Sequence, residues 1–148
     1  MTDAEPLTLT FQRSLRASRE EVFDAWTRPE QISEWWDPTG VKLARCTIDL
    51  RPEGAFTFVN QGHSPPFSGV YRVIERPARL VFEALGTVGT VILEPEGNLT
   101  RMKVTIRCSS AEQFEQFEKL GVGRNTDKTL DNLVRRMAGP VAVQPAPA

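Results

Sequence analysis

From Leu7 onward the chain alternates. Leu7, Leu9, Phe11 and Leu15 share one parity while Thr8, Thr10, Gln12 and Ser14 take the other, the period-two signature of a strand with one buried face. Arg13 breaks the apolar row. The period then changes: Val22, Phe23 and Trp26 fall on one helical face, and Ser18 with Glu21 forms a capping box, each side chain satisfying a backbone N–H that the helix leaves unpaired. Ala17 and Val22 are placed to form a weak hydrophobic staple across that start. The ring of Pro29 pushes Arg28 out of the α region yet suits the first turn of a new helix, so a second short helix is predicted from Pro29 to about Trp36. All three tryptophans lie in this stretch. Aromatic side chains this dense on two short helices must bury their faces against something larger.

The remaining pattern supplies it. Asp37-Pro38-Thr39-Gly40 reads as a turn, and a strand is predicted from Val41 to Leu50, whose apolar parity changes from Val41 and Leu43 to Cys46, Ile48 and Leu50; a bulge or bend near Ala44-Arg45 would reconcile the two. After the turn Arg51-Pro52-Glu53-Gly54 come Phe56 and Phe58, then a Gly/Pro loop from Asn60 to Pro66, then a strand from Phe67 to Glu75. Arg76-Pro77-Ala78 turns the chain into Arg79 to Leu85, followed by Gly86 to Leu93 and the turn Glu94 to Asn98. In the last strand Met102, Val104, Ile106 and Cys108 alternate with Arg101, Lys103, Thr105 and Arg107. Connections this short make antiparallel neighbours, because parallel strands need crossovers of roughly a dozen residues.

The C-terminal part turns helical. Ser109 with Glu112, or Ser110 with Gln113, offers a capping box before Phe114, Phe117 and Leu120, and Gly121 is placed to stop that helix. After Gly123 a second pattern puts Leu130, Leu133, Val134 and Met137 on one face, with Arg135 and Arg136 in the last turn, where cations favour the helix dipole. Gly139-Pro140 ends it. The order is α+β: one strand, two short helices, about six antiparallel strands, and a terminal helix that must cover one face of a curved sheet. Residues 1–6 are expected to be flexible, and 139–148 to form a disordered Pro/Ala tail.

Composition narrows the function classes. The 148 residues fit one domain, able to bury roughly 70% of the surface of the unfolded chain. Lys+Arg 18 against Asp+Glu 19 leaves a net charge of -1, so no global field draws nucleic acid or an acidic membrane, and the scattered arginines read as a solvated face. The chain holds no run of ~18 apolar residues and its first residues lack the regions of a signal peptide, which predicts a cytoplasmic protein without membrane insertion. Cys46 and Cys108 stand in no metal or redox spacing and read as buried free thiols.

Chemistry is sparse. His63, the only histidine, sits beside Ser64 in a Gly/Pro loop that is no strand-turn-helix nucleophile elbow. With one histidine and no acidic or thiol cluster at ligand spacing, no metal, cofactor or catalytic residue is predicted. Gly121-Val122-Gly123 is too short to cradle a phosphate and reads as a helix break.

A resemblance enters here. Val22-Phe23-Asp24-Ala25-Trp26-Thr27-Arg28-Pro29-Glu30 with Trp35-Trp36, then Asp49 to Gly54, then Gly69 to Phe82, resembles the Hsp90-ATPase-activator-like branch of the START/Bet v 1-like superfamily, over roughly residues 7–138. The resemblance implies a single domain with a helix-grip fold: a curved antiparallel sheet of about 6–7 strands around a long C-terminal helix, with an apolar cavity between them. Two departures stand out. Glu53-Gly54 replaces a glycine pair, and Thr126 stands four residues before Leu130, where an aromatic residue or methionine is common, a change that would enlarge the cavity or make it more polar.

The cavity so implied makes Trp35, Trp36, Phe58, Phe67, Tyr71, Phe82, Thr126, Leu130, Leu133 and Met137 the candidate ligand contacts. Trp36 and Tyr71 lead, since an indole N–H or phenol O–H buried beside a cavity needs a polar partner. The preferred reading is a binding protein for a small hydrophobic or amphipathic molecule, acting as a monomer or weak homodimer. A small cyclase- or hydrolase-like enzyme using the same cavity is the first alternative; two or more titratable groups on its wall would favour that one. A chaperone-interaction module is the second, set back because eukaryotic activators carry a further N-terminal domain for which this chain is too short.

Overall fold

A computed structural model describes residues 7–62 and 65–138. The elements run β1 (Thr8–Leu15), α1 (Arg19–Thr27), α2 (Pro29–Ile32), β2 (Arg45–Ile48), β3 (Ala55–Val59), β4 (Phe67–Glu75), β5 (Arg79–Ala84), β6 (Thr87–Glu96), β7 (Leu99–Arg107), α3 (Ala111–Lys119) and α4 (Val122–Ala138). The seven strands form one open antiparallel sheet in the order β1-β7-β6-β5-β4-β3-β2. Every step is between chain neighbours except the first, in which β1 pairs with β7 from Thr8↔Arg107 to Leu15↔Thr100. This is the helix-grip architecture that the resemblance implies.

The two short helices form for the reasons their residues state. Ser18 Oγ accepts from the Glu21 N–H and the Glu21 carboxylate accepts from the Ser18 N–H, closing both halves of the capping box. Val22, Phe23 and Trp26 are buried, and α1 stops at Thr27 before the extended Arg28. The second helix is shorter than the spacing predicts. It ends at Ile32, because Trp35 and Trp36 both turn their N–H groups back on the Ile32 carbonyl and the chain leaves the helix in a tight turn.

Other boundaries are corrected in the same way. The strand predicted from Val41 to Leu50 is only Arg45–Ile48: Leu43 is buried, but its N–H bonds the Ser33 carbonyl instead of a neighbouring strand, and ladder pairing starts where the parity changes. The predicted turn from Glu94 to Asn98 contracts to Gly97-Asn98, since Glu94–Glu96 still pair with Arg101–Leu99. Leu85 belongs to the β5–β6 turn, with φ of 56°, and not to β5. Of the two cap pairs, Ser110 with Gln113 is the one used. Helix α4 starts at Val122, ahead of Gly123, and Leu120 is 73% exposed, off the apolar face assigned to it. Cys108 is buried and Cys46 half-buried, both free thiols. The predicted flexible N-terminus, His63 and the predicted tail lie outside the described residues.

The core lies between the concave face of the sheet and the helices. Leu15, Phe23, Ile32, Trp35, Leu80, Leu93, Met102, Leu130 and Leu133 are all at most 1% exposed. Arg13, the interruption in the apolar row of β1, faces α4 and donates to Asp127 at 2.8 Å and Asp131 at 3.1 Å. Two strand glycines make room for rings. A Cβ on Gly69 would stand 2.7 Å from Phe56 Cζ, and one on Gly89 would stand 2.4 Å from Phe82 Cε1. Each glycine faces its ring across the ladder, in the pairs Phe56↔Gly69 and Phe82↔Gly89.

Glu53, where the resemblance leads one to expect glycine, has φ of 71°, and its carboxylate binds Arg72. A left-handed L-residue costs about 1–2 kcal/mol, partly offset by the larger unfolded-state entropy of glycine, ~0.4–1 kcal/mol. Glu53→Gly is therefore expected to raise stability by up to about 1 kcal/mol. A clear loss in urea titration would show instead that the Arg72 bridge outweighs the backbone.

Candidate functional site

A cavity of about 340 Å³ lies between the sheet and the N-terminal half of α4. The curl of the sheet builds one wall: Phe67, Phe82, Ala84, Thr87, Gly89, Val104 and Ile106 take the concave parity of β4 to β7. Val122, Asn125, Thr126, Thr129 and Leu130 of α4 form the opposite wall. Trp26, Trp36, Pro38 and Asn60 close one side, while Leu85, Phe117 and Leu120 border the other. Leu85 and Leu120 are 61% and 73% exposed, so the border with solvent is itself apolar.

The turn that carries Trp36 is tied to α4. Thr129 Oγ1 donates to the Trp36 carbonyl at 3.0 Å, and Asn132 Nδ2 donates to the carbonyls of Asp37, at 2.9 Å, and Trp35, at 3.4 Å. Asn60 Nδ2 donates to the Asp37 carboxylate. Burial alone would raise the Asp37 pKa, but hydrogen bonds from Thr39 and Asn60 outweigh it and hold the group below the usual carboxylate range. Asp37 does not line the cavity; it fixes a residue that does.

Adjoining the cavity is a second, inner void of about 10 Å³, room for roughly one water molecule. Phe56, Phe58, Tyr71, Ile32 and Leu80 line it, and Trp26, Trp36, Phe67 and Phe82 line both spaces. These shared rings form an aromatic partition, with Trp36 5.2 Å from Phe67 and 5.0 Å from Phe58 between ring centroids.

The predicted contacts therefore divide. Trp36, Phe67, Phe82, Thr126 and Leu130 line the main cavity; Phe58 and Tyr71 line the inner void with three of them. Trp35, Leu133 and Met137 line neither. Trp35 and Leu133 are fully buried core, and Met137 packs on that core from the far end of α4. The sequence reading missed Thr87, Gly89, Val122, Asn125 and Thr129. Their alternation and helical spacing were visible, but which end of α4 stands off the sheet depends on curvature.

Polar satisfaction separates the tryptophans. Trp26 Nε1 donates to Met102 Sδ at 3.4 Å and Trp35 Nε1 to the Ala25 carbonyl at 3.1 Å. Among the described residues neither Trp36 Nε1 nor the Tyr71 hydroxyl has a protein partner, although Tyr71 is only 2% exposed. No wall residue described here is ionisable. The described residues contain no group of His, Cys, Asp and Glu able to hold a metal ion. Among the described residues no helix is long and apolar enough to cross a membrane.

Comparison with known proteins agrees with this fold. The model of the family described as Activator of Hsp90 ATPase homolog 1-like protein matches residues 16–138. Among curated proteins none matches the sequence. A solution structure of a protein from Arthrobacter aurescens has a TM-score of 0.81 at 23% identity, covering 95% of this chain and 91% of that one. A Rhodobacter sphaeroides protein gives 0.80 at 20%, covering 90% and 93%, and protein NE0264 from Nitrosomonas europaea gives 0.76 at 22%, covering 90% and 98%. At these identities the likeness is one of fold. With the family model spanning nearly all of the described residues, the chain belongs to the Activator of Hsp90 ATPase homolog 1-like family.

Proposed function

We propose that the protein binds a small, neutral, apolar or amphipathic molecule in the cavity between the sheet and α4. The observation that carries this reading is a space of about 340 Å³ whose described walls are aromatic, aliphatic, hydroxyl and amide, with no ionisable group. That volume is within the range of small-molecule sites. A wall without titratable groups supports binding over catalysis, because general acid–base chemistry needs a group that exchanges a proton within reach of the ligand. It also disfavours a charged ligand, whose burial without a counter-charge is costly.

Nile red, a neutral apolar dye, tests the reading. The expected result is saturable uptake near one dye per chain with quenching of tryptophan emission, and the part of the quenching due to Trp36 should be lost in Trp36→Phe. Absence of uptake at micromolar protein would refute the proposal. The family description, which names an Hsp90 ATPase activator, supports a second reading as a chaperone partner. Stimulation of Hsp90 ATP hydrolysis by the purified chain would favour that reading.

A further inference from the structure

The inner void is lined by apolar side chains and by three that carry a polar atom, Trp26, Trp36 and Tyr71, of which Trp26 Nε1 is already engaged with Met102. Tyr71 lies on β4 at an irregularity, where pairing with β5 shifts register between Tyr71 and Val73, and such shifts re-aim side chains. Both of its backbone groups are held by the β2–β3 turn: its N–H donates to the Gly54 carbonyl at 2.9 Å, and its carbonyl accepts from the Glu53 N–H at 2.7 Å. The backbone that carries the phenol is thus held on both sides. Its ring packs 5.0 Å from that of Phe56, and the side chain borders the void of about 10 Å³.

Tyr71 keeps only 2% of its surface exposed and packs against the Phe56 ring, and no described residue hydrogen-bonds its hydroxyl. A single water there would find at most two free polar side chains, Tyr71 and Trp36, where buried waters ordinarily have about three partners. Burial also pushes the phenol's pKa up, with the nearby Cys46 thiol adding to the effect, so the group stays a neutral donor. Two rings of the partition between void and cavity, Trp36 and Phe67, are only half-buried. Phe67 is the first residue of its strand, next to the loop, where a ring has more freedom to swing.

We propose that Tyr71 is an inner anchor of the ligand site: a flat apolar molecule passes a neutral oxygen acceptor, a ketone or ether, between Trp36 and Phe67 into the inner void and accepts the Tyr71 O–H. The proposal rests on the binding reading of the same cavity. It adds the chemistry of the ligand's deep end, one neutral acceptor no larger than a carbonyl oxygen.

Fluorene and 9-fluorenone are near-isosteric probes, differing in that carbonyl. Wild type is expected to bind fluorenone about tenfold more tightly, after correction for the difference in solubility, which corresponds to about 1.4 kcal/mol for one buried hydrogen bond. Tyr71→Phe should erase the preference while leaving fluorene affinity unchanged. The carbonyl stretch of bound fluorenone should fall in frequency in wild type and return toward its value in hydrocarbon solvent in the variant, a readout independent of folding yield. If both probes bind wild type equally and the stretch is unshifted, the anchor is refuted while the cavity stands. If Trp36→Phe removes the preference and Tyr71→Phe does not, the acceptor sits in the outer cavity and the proposal is overturned. If neither probe binds, the binding reading falls and this inference falls with it.

Discussion

Leu133→Ala is expected to lower the free energy of unfolding by about 2–5 kcal/mol, the range for removing a fully enclosed leucine from a core that cannot collapse around the gap. Leu133 is 0% exposed and belongs to the same cluster as Trp35, Phe23 and Leu15. Lost transfer energy and the cavity left behind act in the same direction. Leu120→Ala is the internal control: at 73% exposure it should change stability by no more than about 0.5 kcal/mol. Paired urea titrations decide the matter, and a loss below about 0.5 kcal/mol for Leu133→Ala would mean that α4 does not close the core.

Thr126→Trp should separate binding from stability. Thr126 is half-buried on the α4 wall, its side chain makes no hydrogen bond to a described residue, and it faces open volume instead of packed atoms. An indole there fills space that a ligand needs. Enlarging a residue in a packed core costs typically 1–3 kcal/mol, but here the expected change is none or a gain. Nile red affinity should fall at least about tenfold, or 1.4 kcal/mol. Strong destabilisation with dye binding unchanged would show that the site is already packed.

The contrast between Thr126 and Leu133 also marks how far the sequence could be read. Both lie on the apolar stripe of α4, and periodicity places them on one face, but it says nothing about where along the helix the sheet bends away. Thr126 meets open space, Leu130 belongs to the core and also lines the cavity, and Leu133 meets core alone. Trp35 and Trp36 show the same limit within a turn. Adjacent residues point apart, so the sequence shows that one faces inward and not which; the Ile32 carbonyl, accepting both N–H groups, sets Trp35 into the core and Trp36 toward the cavity. Strand pairing, helix caps and the order of elements were legible because each is written in a few neighbouring residues. The inner void was not, since it arises from rings on α1, the following turn and three strands that meet only when the sheet has curled.

Arg13 was the one misfit in the first strand, and its two partners give it the meaning of an address. Asp127 and Asp131 are one helical turn apart, with Arg13 bridging them. The next residue in that series toward the C-terminus is Arg135, and the previous one is Gly123. If α4 slid by a turn in one direction, Arg13 would face Asp131 and a like charge; in the other it would lose one of its two carboxylates. Exposed pairs of this kind contribute little to stability, typically 0–1 kcal/mol. Their value is in discrimination, because the wrong settings are penalised while the right one is doubly held. An apolar stripe alone would let the helix travel along the groove like a bolt in a smooth channel, and this arginine is the detent that stops it where Thr126 faces the empty space and Leu133 the full one.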